Sequence, residues 1–317
     1  MRKSAILLLV LSLVLVACRA STADTTVPDA TAEQSTTTRL LEEIEYPVTV
    51  QTDIGPVNIE GPPSRVVSLS ATATEMLYAI GAGEQVVATD LTSNYPEAAA
   101  AIVKLDAFNF NVEEVAALDP DLVILAFDFQ GEGEALSALS IPFLLLGPPA
   151  DIESSLSQLQ NVGLATGHFS EAEALAARLS EEMASIVARS RTGSTRGVVI
   201  YHEVDETLYS TTSASFIGNL YLRLGLVNIA DGIDGAGAFP QLSSEFVVDQ
   251  NPQFIFLADA NFGVTVESVA ARPGWDTIAA VEQGNVIALD GDIAGRWGPR
   301  TVAFMRAILD AVEDGLS

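Results

Sequence analysis

The chain has 317 residues, 49% of them hydrophobic, and its 15 Lys and Arg face 42 Asp and Glu for a formal net charge of −27. That excess of negative charge repels nucleic acid and anionic membrane surfaces alike. Cys18 is the single cysteine, so the folded part has no intrachain disulfide, Cys-ligated zinc, iron–sulfur cluster or thiol nucleophile, and two histidines, His168 and His202, are too few for a His-rich zinc or manganese site.

The first residues read as an export leader. Arg2 and Lys3 precede an uncharged run of thirteen residues from Ala5 to Ala17, and Leu15-Val16-Ala17-Cys18 has the form of a lipobox. Spanning a bilayer as a helix takes about 20 residues, which sets a short transmembrane anchor or a buried core helix behind the leader reading. Residues 1–17 are therefore expected to be a signal peptide. Cys18 is expected to carry lipid that anchors the exported chain to the outer face of the cytoplasmic membrane, in a periplasm or on a Gram-positive surface. Loss of the leader removes two basic residues and no acidic one, leaving 13 against 42, a net charge of −29. Residues 18–45 follow as a lipid-anchored tether. Arg19 to Arg39 is rich in Thr, Ala, Ser and Asp, and a coil of this length spans about 30 Å root-mean-square.

Next, Val48-Thr49-Val50 and Val57-Asn58-Ile59 flank the turn signal Asp53-Ile54-Gly55-Pro56, predicting a β-hairpin. Buried strands are expected at Val66–Leu69, Val86–Thr89, Leu122–Phe127 and Phe143–Leu146, with helices near 73–80, 112–118 and 152–165 between them. Thr72-x-x-Glu75 reads as a capping box opening the first helix. From Ser170 to about Arg191 there is no Gly or Pro and much Ala, Leu and Glu, predicting one helix of about 20 residues. Strands are then expected at Val198–Tyr201, Phe254–Leu257 and Val286–Leu289, and helices near 216–224, 244–249 and 300–314.

The two halves resemble each other. Asn111 to Ala126 aligns without a gap on Ser243 to Ala258 at a constant offset of 132, each segment offering an N-cap residue, a Glu two positions on, a proline (Pro120, Pro252) and an apolar strand. A weaker echo relates Glu75–Gly81 to Asn219–Gly225. Strand, helix, strand order implies parallel sheets with right-handed crossovers. The fold class is α/β: two similar α/β lobes with central, mainly parallel sheets, residues 46–167 and 193–317, joined by a connecting helix at 168–192.

Catalytic signatures are sparse. Gly81-Ala-Gly83 lacks the third glycine of a dinucleotide loop, and neither a Walker sequence nor a G-x-S-x-G elbow occurs. A Ser–His–Asp triad through His202 stays open, and a lipid-anchored hydrolase is the reading it would carry. Ligands of open α/β sheets bind beyond the carboxyl ends of strands, which places a ligand cleft between the lobes. Reading on from each strand gives Ser70 to Thr72, Asn94 and Tyr95, Phe108 and Phe110, Phe127 and Phe129, His202 and Glu203, Tyr209, Phe239 and the loop Gly291–Arg300 with Arg296, Trp297 and Arg300. This mostly neutral, aromatic set suits a large planar or greasy chelate better than a sugar, a free amino acid or an ion. Core packing of the aromatics, and a structural role for His202 in place of axial ligation of a chelated metal, are the competing accounts. No protein-bound metal or cofactor is expected.

Arg65-Val-Val-Ser-Leu-Ser-Ala-Thr-Ala-Thr-Glu75-Met-Leu-Tyr-Ala-Ile-Gly81, Asn94-Tyr-Pro96, Leu118-Asp-Pro-Asp-Leu-Val123, Pro240-Gln-Leu-Ser243 and Gly298-Pro-Arg300 together resemble the class III substrate-binding proteins of ABC importers for ferric siderophores, haem and cobalamin. The resemblance covers about 46 to 315. It implies a bilobed body with a rigid connecting helix that delivers an iron or cobalt chelate to a permease dimer with its ATPase. It also implies docking through one exposed Glu per lobe, at Glu113 and Glu245; the general stabilisation of a first helical turn by acidic residues is the simpler account of each. Cobalamin binders of the family tend to have Trp near the positions of Ala107-Phe108 and Phe239. Its anionic ligands usually meet Arg or Lys, for which Lys104, Arg296 and Arg300 are the residues placed here. The same fold serving as a sensor or surface scaffold without a transporter is the alternative.

Overall fold

The computed structural model describes residues 44–233, 235 and 237–317. The expected signal peptide, Cys18 and the tether up to residue 43 lie outside the described residues. The hairpin forms as predicted: β1 (Val48–Thr52) pairs antiparallel with β2 (Gly55–Ile59), Val50 opposite Val57.

The first lobe then alternates strand and helix: β3 (Val66–Leu69), α1 (Ala71–Ala79), β4 (Val86–Asp90), α2 (Glu97–Ala100), β5 (Val103–Leu105), α3 (Val112–Ala116), β6 (Leu122–Leu125), α4 (Glu132–Ala138) and β7 (Phe143–Leu145). The strands form one parallel sheet in the order β5-β4-β3-β6-β7. Every residue of β3 and β6 is buried. Strands covered on both faces need apolar side chains on both, which is why β6 reads as an unbroken apolar run. β3 breaks its run only at Ser68, whose hydroxyl donates to the Ser70 carbonyl and accepts from Thr74 Oγ1.

Three local expectations are corrected. Thr72 does not cap α1: Ser70 is the first residue past β3 with extended backbone, and its hydroxyl accepts from the Ala73 N–H at 3.2 Å. The helix thus starts earlier, and Thr72 and Glu75 are buried inside it. The strand expected to reach Phe127 ends at Leu125, and Phe127 stacks on Phe129 at 4.9 Å. The edge strand β5 was not expected, because three residues are too few for a readable alternation.

Two helices follow, α5 (Ile152–Thr166), capped by Asp151, and α6 (Phe169–Thr192). The 24 residues of α6 make a rod about 36 Å long. Ala172, Leu175, Ala176, Leu179, Met183 and Ile186 are buried on it, at the spacing of one helix face. The tight return between the helices needs Gly163, where a Cβ would stand 2.3 Å from that of Ala172. Through this pair one hydrophobic core runs from Val66 and Ile124, past Leu159 and Leu179, to Phe254 and Phe304.

The second lobe comprises β8 (Val199–Glu203), α7 (Phe216–Arg223), β9 (Val227–Asn228), α8 (Ser244–Gln250), β10 (Phe254–Leu257), α9 (Val266–Ala270), α10 (Ala279–Glu282), β11 (Val286–Ala288), α11 (Gly291–Ala294) and α12 (Thr301–Gly315). Its parallel sheet has the order β11-β10-β8-β9. Laying β8 on β3 puts β9 on β4, β10 on β6 and β11 on β7, so the second sheet is the first without its outer strand β5.

The sequence repeat falls on matching elements. Val112 of α3 and Ser244 of α8 begin their helices 132 positions apart, and so do Leu122 of β6 and Phe254 of β10. Asn111 caps α3 by accepting from the N–H groups of Glu113 and Glu114, and Ser243 caps α8 by accepting from that of Phe246. The weaker echo is also structural: Gly81 and Gly225, at φ +90° and +77°, stand two residues past the ends of α1 and α7, the left-handed position that ends many helices. Among the described residues no helix is long and apolar enough to cross a membrane.

Candidate functional site: an aromatic cleft between the lobes

The carboxyl ends of β3, β4 and β6 in one lobe, and of β8 and β10 in the other, open into a cavity of about 420 Å³. Leu69, Ser70, Asp90, Leu125 and Ala126 line it from the first lobe, His202, Val204 and Ala258 from the second. Among the described residues six phenylalanines line it, and beside Phe110 five are well exposed: Phe262 at 88%, Phe129 at 73%, Phe108 at 64%, Phe239 at 54% and Phe127 at 38%. Leaving that much ring surface in water is unfavourable by roughly 25 cal/mol per Å², and clustered exposed apolar surface marks a binding face.

The base of the cleft is a buried polar network that ties the lobes together. Glu75 of α1, 2% exposed, accepts from Arg296 Nη1 at 2.7 Å and from Arg300 Nη2 and Nε at 2.6 and 3.0 Å. Both arginines belong to the second lobe. Nη2 of Arg296 donates to the Thr92 carbonyl, to Asn94 Oδ1 and to Asp292 Oδ1, while Asn94 donates to the other oxygen of Asp292 at 2.6 Å. Beside them, Trp297 Nε1 donates to Gln158 Oε1 at 2.9 Å, and Ser155 donates to the Trp297 carbonyl. A buried pair of this kind is held by many partners at once, and losing one leaves its neighbours unsatisfied.

His202, at the end of β8, is fully buried. Its Nδ1 lies 2.8 Å from the Tyr221 hydroxyl, whereas Nε2 is buried with no partner. Burial pushes its pKa down to about 4, so the ring is neutral at pH 7. The Tyr221 hydroxyl and not a carboxylate meets the ring, and Ser210 Oγ donates to the His202 carbonyl. The Ser–His–Asp arrangement left open by the sequence is therefore not formed at His202. Deeper in the second lobe, Glu203 accepts two 2.6 Å bonds from Arg272, which stacks 4.5 Å over Trp275. Nearby Asp259 is buried with neither oxygen partnered, and burial, reinforced by Glu203, pushes its pKa up to about 6.

Of the residues proposed from sequence, Ser70, Thr72, Phe108, Phe110, Phe127, His202, Phe239, Arg296 and Trp297 line the cavity. Tyr95, Tyr209 and Arg300 do not. Tyr95 lies 4.4 Å beneath the Arg300 guanidinium, Arg300 is committed to Glu75, and Tyr209 bridges to Gln241 in a short antiparallel contact. Lys104 is also turned away, held by Thr89 Oγ1 and by the Ser93 and Ala99 carbonyls. Phe129, and Asp292 of the loop Gly291–Arg300, line it as the strand ends suggested, whereas Asp90, Thr92, Asn261 and Phe262 were missing from the sequence-derived set and line the cavity too. Carrying the internal repeat a few residues beyond Ala126 and Ala258 leads to Phe129 in one copy and to Asn261-Phe262 in the other, a signal the alignment already held.

Glu113 and Glu245 are both exposed, in the first turns of α3 and α8. Each follows a cleft loop: Phe110 lies three residues before Glu113, and Phe239 six before Glu245.

Comparison with known proteins gives a consistent picture. A family model described as periplasmic binding protein matches residues 66–293. An ABC transporter substrate-binding lipoprotein of Bacillus subtilis, YvrC, is 26% identical over 275 residues, covering 84% of this chain and 86% of its own. The vitamin B12-binding protein of Pectobacterium carotovorum is 28% identical over 264 residues, covering 80% of this chain and 91% of its own. Among solved structures, the periplasmic haem-binding protein RhuT of Roseiflexus, in its apo form, superposes with a TM-score of 0.72 at 24% identity over 81% of this chain and all of its own. That last likeness is one of fold.

Proposed function

Because the chain belongs to the periplasmic binding protein family, we propose that it captures a metal chelate of the ferric-siderophore, cobalamin or haem kind outside the cytoplasm and delivers it to an ABC importer. The observation that carries this reading is the ring of exposed phenylalanines around a cavity at the strand ends of both lobes. A site for a sugar or an ion would present converging polar donors instead. Relatives named for vitamin B12 binding and for ABC transport support the same class of ligand and partner.

In this reading residues 46–167 and 193–317 are the two ligand-holding lobes, and 168–192 fixes their separation. Glu113 and Glu245 meet basic residues on the two permease subunits, one from each lobe, and the cleft loops beside them bring ligand to the same face. Residues 1–17 direct export, and lipid on Cys18 holds the body near the membrane through 18–45. A tether raises the local concentration for a weak docking contact, so two exposed carboxylates suffice.

Trp297 lines the cleft while Trp275 is enclosed in the second lobe. In titrations with haem, cyanocobalamin and several ferric siderophores, whichever chelate the cleft holds should therefore quench Trp297 emission, and Trp297→Phe should remove most of that quenching. A protein whose fluorescence responds to none of them, and which binds none in equilibrium dialysis, would overturn the proposal.

A further inference from the structure

The charge around the cleft decides which chelates it can hold. Among the described residues, Arg296 is the only positively charged one in its lining. Both terminal nitrogens of Arg296 are committed, Nη1 to Glu75 and Nη2 to Thr92, Asn94 and Asp292, and its side chain is 6% exposed. Arg300 stands outside the lining and gives Nε and Nη2 to Glu75. Lys104 is held behind the wall with Asp90 as its neighbouring charge. Among the described residues that line the cavity, no cation is left to meet a ligand.

Carboxylates are in excess. Glu75, Asp290 and Asp292 surround the two arginines, and Asp90 and Asp292 line the cavity itself, the latter with a side chain 43% exposed. A chelate bearing outward carboxylates or phenolates would trade water for phenyl rings and like charge, and the repulsion grows as the cleft fills and water leaves. The same cleft leaves a ligand without net negative charge unopposed, and the phenyl faces attract a cationic group.

We propose that the ligand of this cleft is an uncharged or cationic metal chelate, its metal's charge balanced inside the complex and its apolar faces set against Phe108, Phe127, Phe129, Phe239 and Phe262. The inference rests on the chelate-capture reading and narrows it. Anionic chelates, including haem with its two propionates and ferric tris-catecholates, are rejected by charge and not by size.

The test varies charge on a constant framework. Ferrioxamine B carries a free ammonium, its N-acetyl derivative is neutral and its N-succinyl derivative is anionic; cyanocobalamin and its monocarboxylate derivatives give a second series. Dissociation constants from Trp297 quenching at low and physiological salt should show the anionic member of whichever series binds weaker than its neutral partner by about tenfold or more, with the gap narrowing as salt rises. Anionic members that bind as tightly as neutral ones, or haem or a ferric tris-catecholate that binds more tightly than both series, would overturn the charge argument while leaving chelate capture standing. Failure of every chelate, whatever its charge, would instead remove the capture reading and this inference with it.

Discussion

Replacing Glu75 by Gln keeps the shape of the side chain and removes the one negative charge that two arginines share beneath the cleft. Glu75 is 2% exposed and accepts three hydrogen bonds from Arg296 and Arg300, one of which is itself almost wholly buried. Breaking a buried ion pair from one side costs about 3–5 kcal/mol, because the remaining charge keeps its burial and loses its partner. For a chain of this size each kcal/mol moves the melting temperature by about 2–4 °C, so Glu75→Gln should melt roughly 10 °C below the parent in differential scanning calorimetry. The triple variant Glu75→Met, Arg296→Met, Arg300→Leu should recover most of that loss, since apolar replacements leave no orphaned charge. Chelate affinity should fall in the single variant, because Arg296 and Trp297 line the cleft that this network holds in register. A Glu75→Gln protein melting within about 2 °C of the parent would refute the claim that this network braces the lobes.

Glu113→Ala combined with Glu245→Ala should leave chelate affinity unchanged and abolish uptake in cells carrying the matching importer; undiminished uptake would remove these residues from docking. Cys18→Ser should lower uptake with no change in ligand binding, and equal uptake by the released form would separate anchoring from transport. Asp259 is raised from 3.8 to about 6, so between those values the folded chain holds a proton the unfolded chain has lost, and stability falls as pH rises through the window. Asp259→Asn should therefore stabilise the fold at pH 7 by on the order of 3 kcal/mol, a rise of several degrees in melting temperature, and make little difference near pH 4. His202 is lowered from 6.5 to about 4, so its contribution is complete above pH 6.5 and is lost as pH falls toward 4. With Asp259 neutralised, the acid limb of the stability curve should steepen; an unchanged limb would count against the raised Asp259 pKa, and a variant that loses no stability between pH 6.5 and 4 would count against a buried, neutral His202.

Much of the architecture could be read from the residues because its signals were local. Apolar runs mark strands buried on both faces, and β10, and β3 in spite of Ser68, span the residues expected. A Gly- and Pro-free stretch gave α6 to within a residue at each end. The internal repeat predicted not only two lobes but the equivalence of particular elements. What stayed hidden depended on partners distant in sequence. Thr72 and Glu75 have the spacing of a capping box, yet Glu75 meets arginines more than 200 residues away. Arg296 and Arg300 looked available to a ligand for the same reason: sequence displays a charge without the carboxylate that neutralises it. Phe262 escaped because it sits on a short 3-10 turn, Ala260–Phe262, with no periodicity to announce it.

The brace through Glu75 and the core running along α6 have a consequence for transport. In the proposed role, a body tied in this way would keep nearly the same outline empty as loaded, and neither lobe would announce by its position that cargo is aboard. Empty copies would then occupy the importer as readily as full ones, and uptake at scarce ligand would fall when the protein is overproduced. The importer would have to sense the chelate itself, or prise the lobes apart against the buried ion pair to find out.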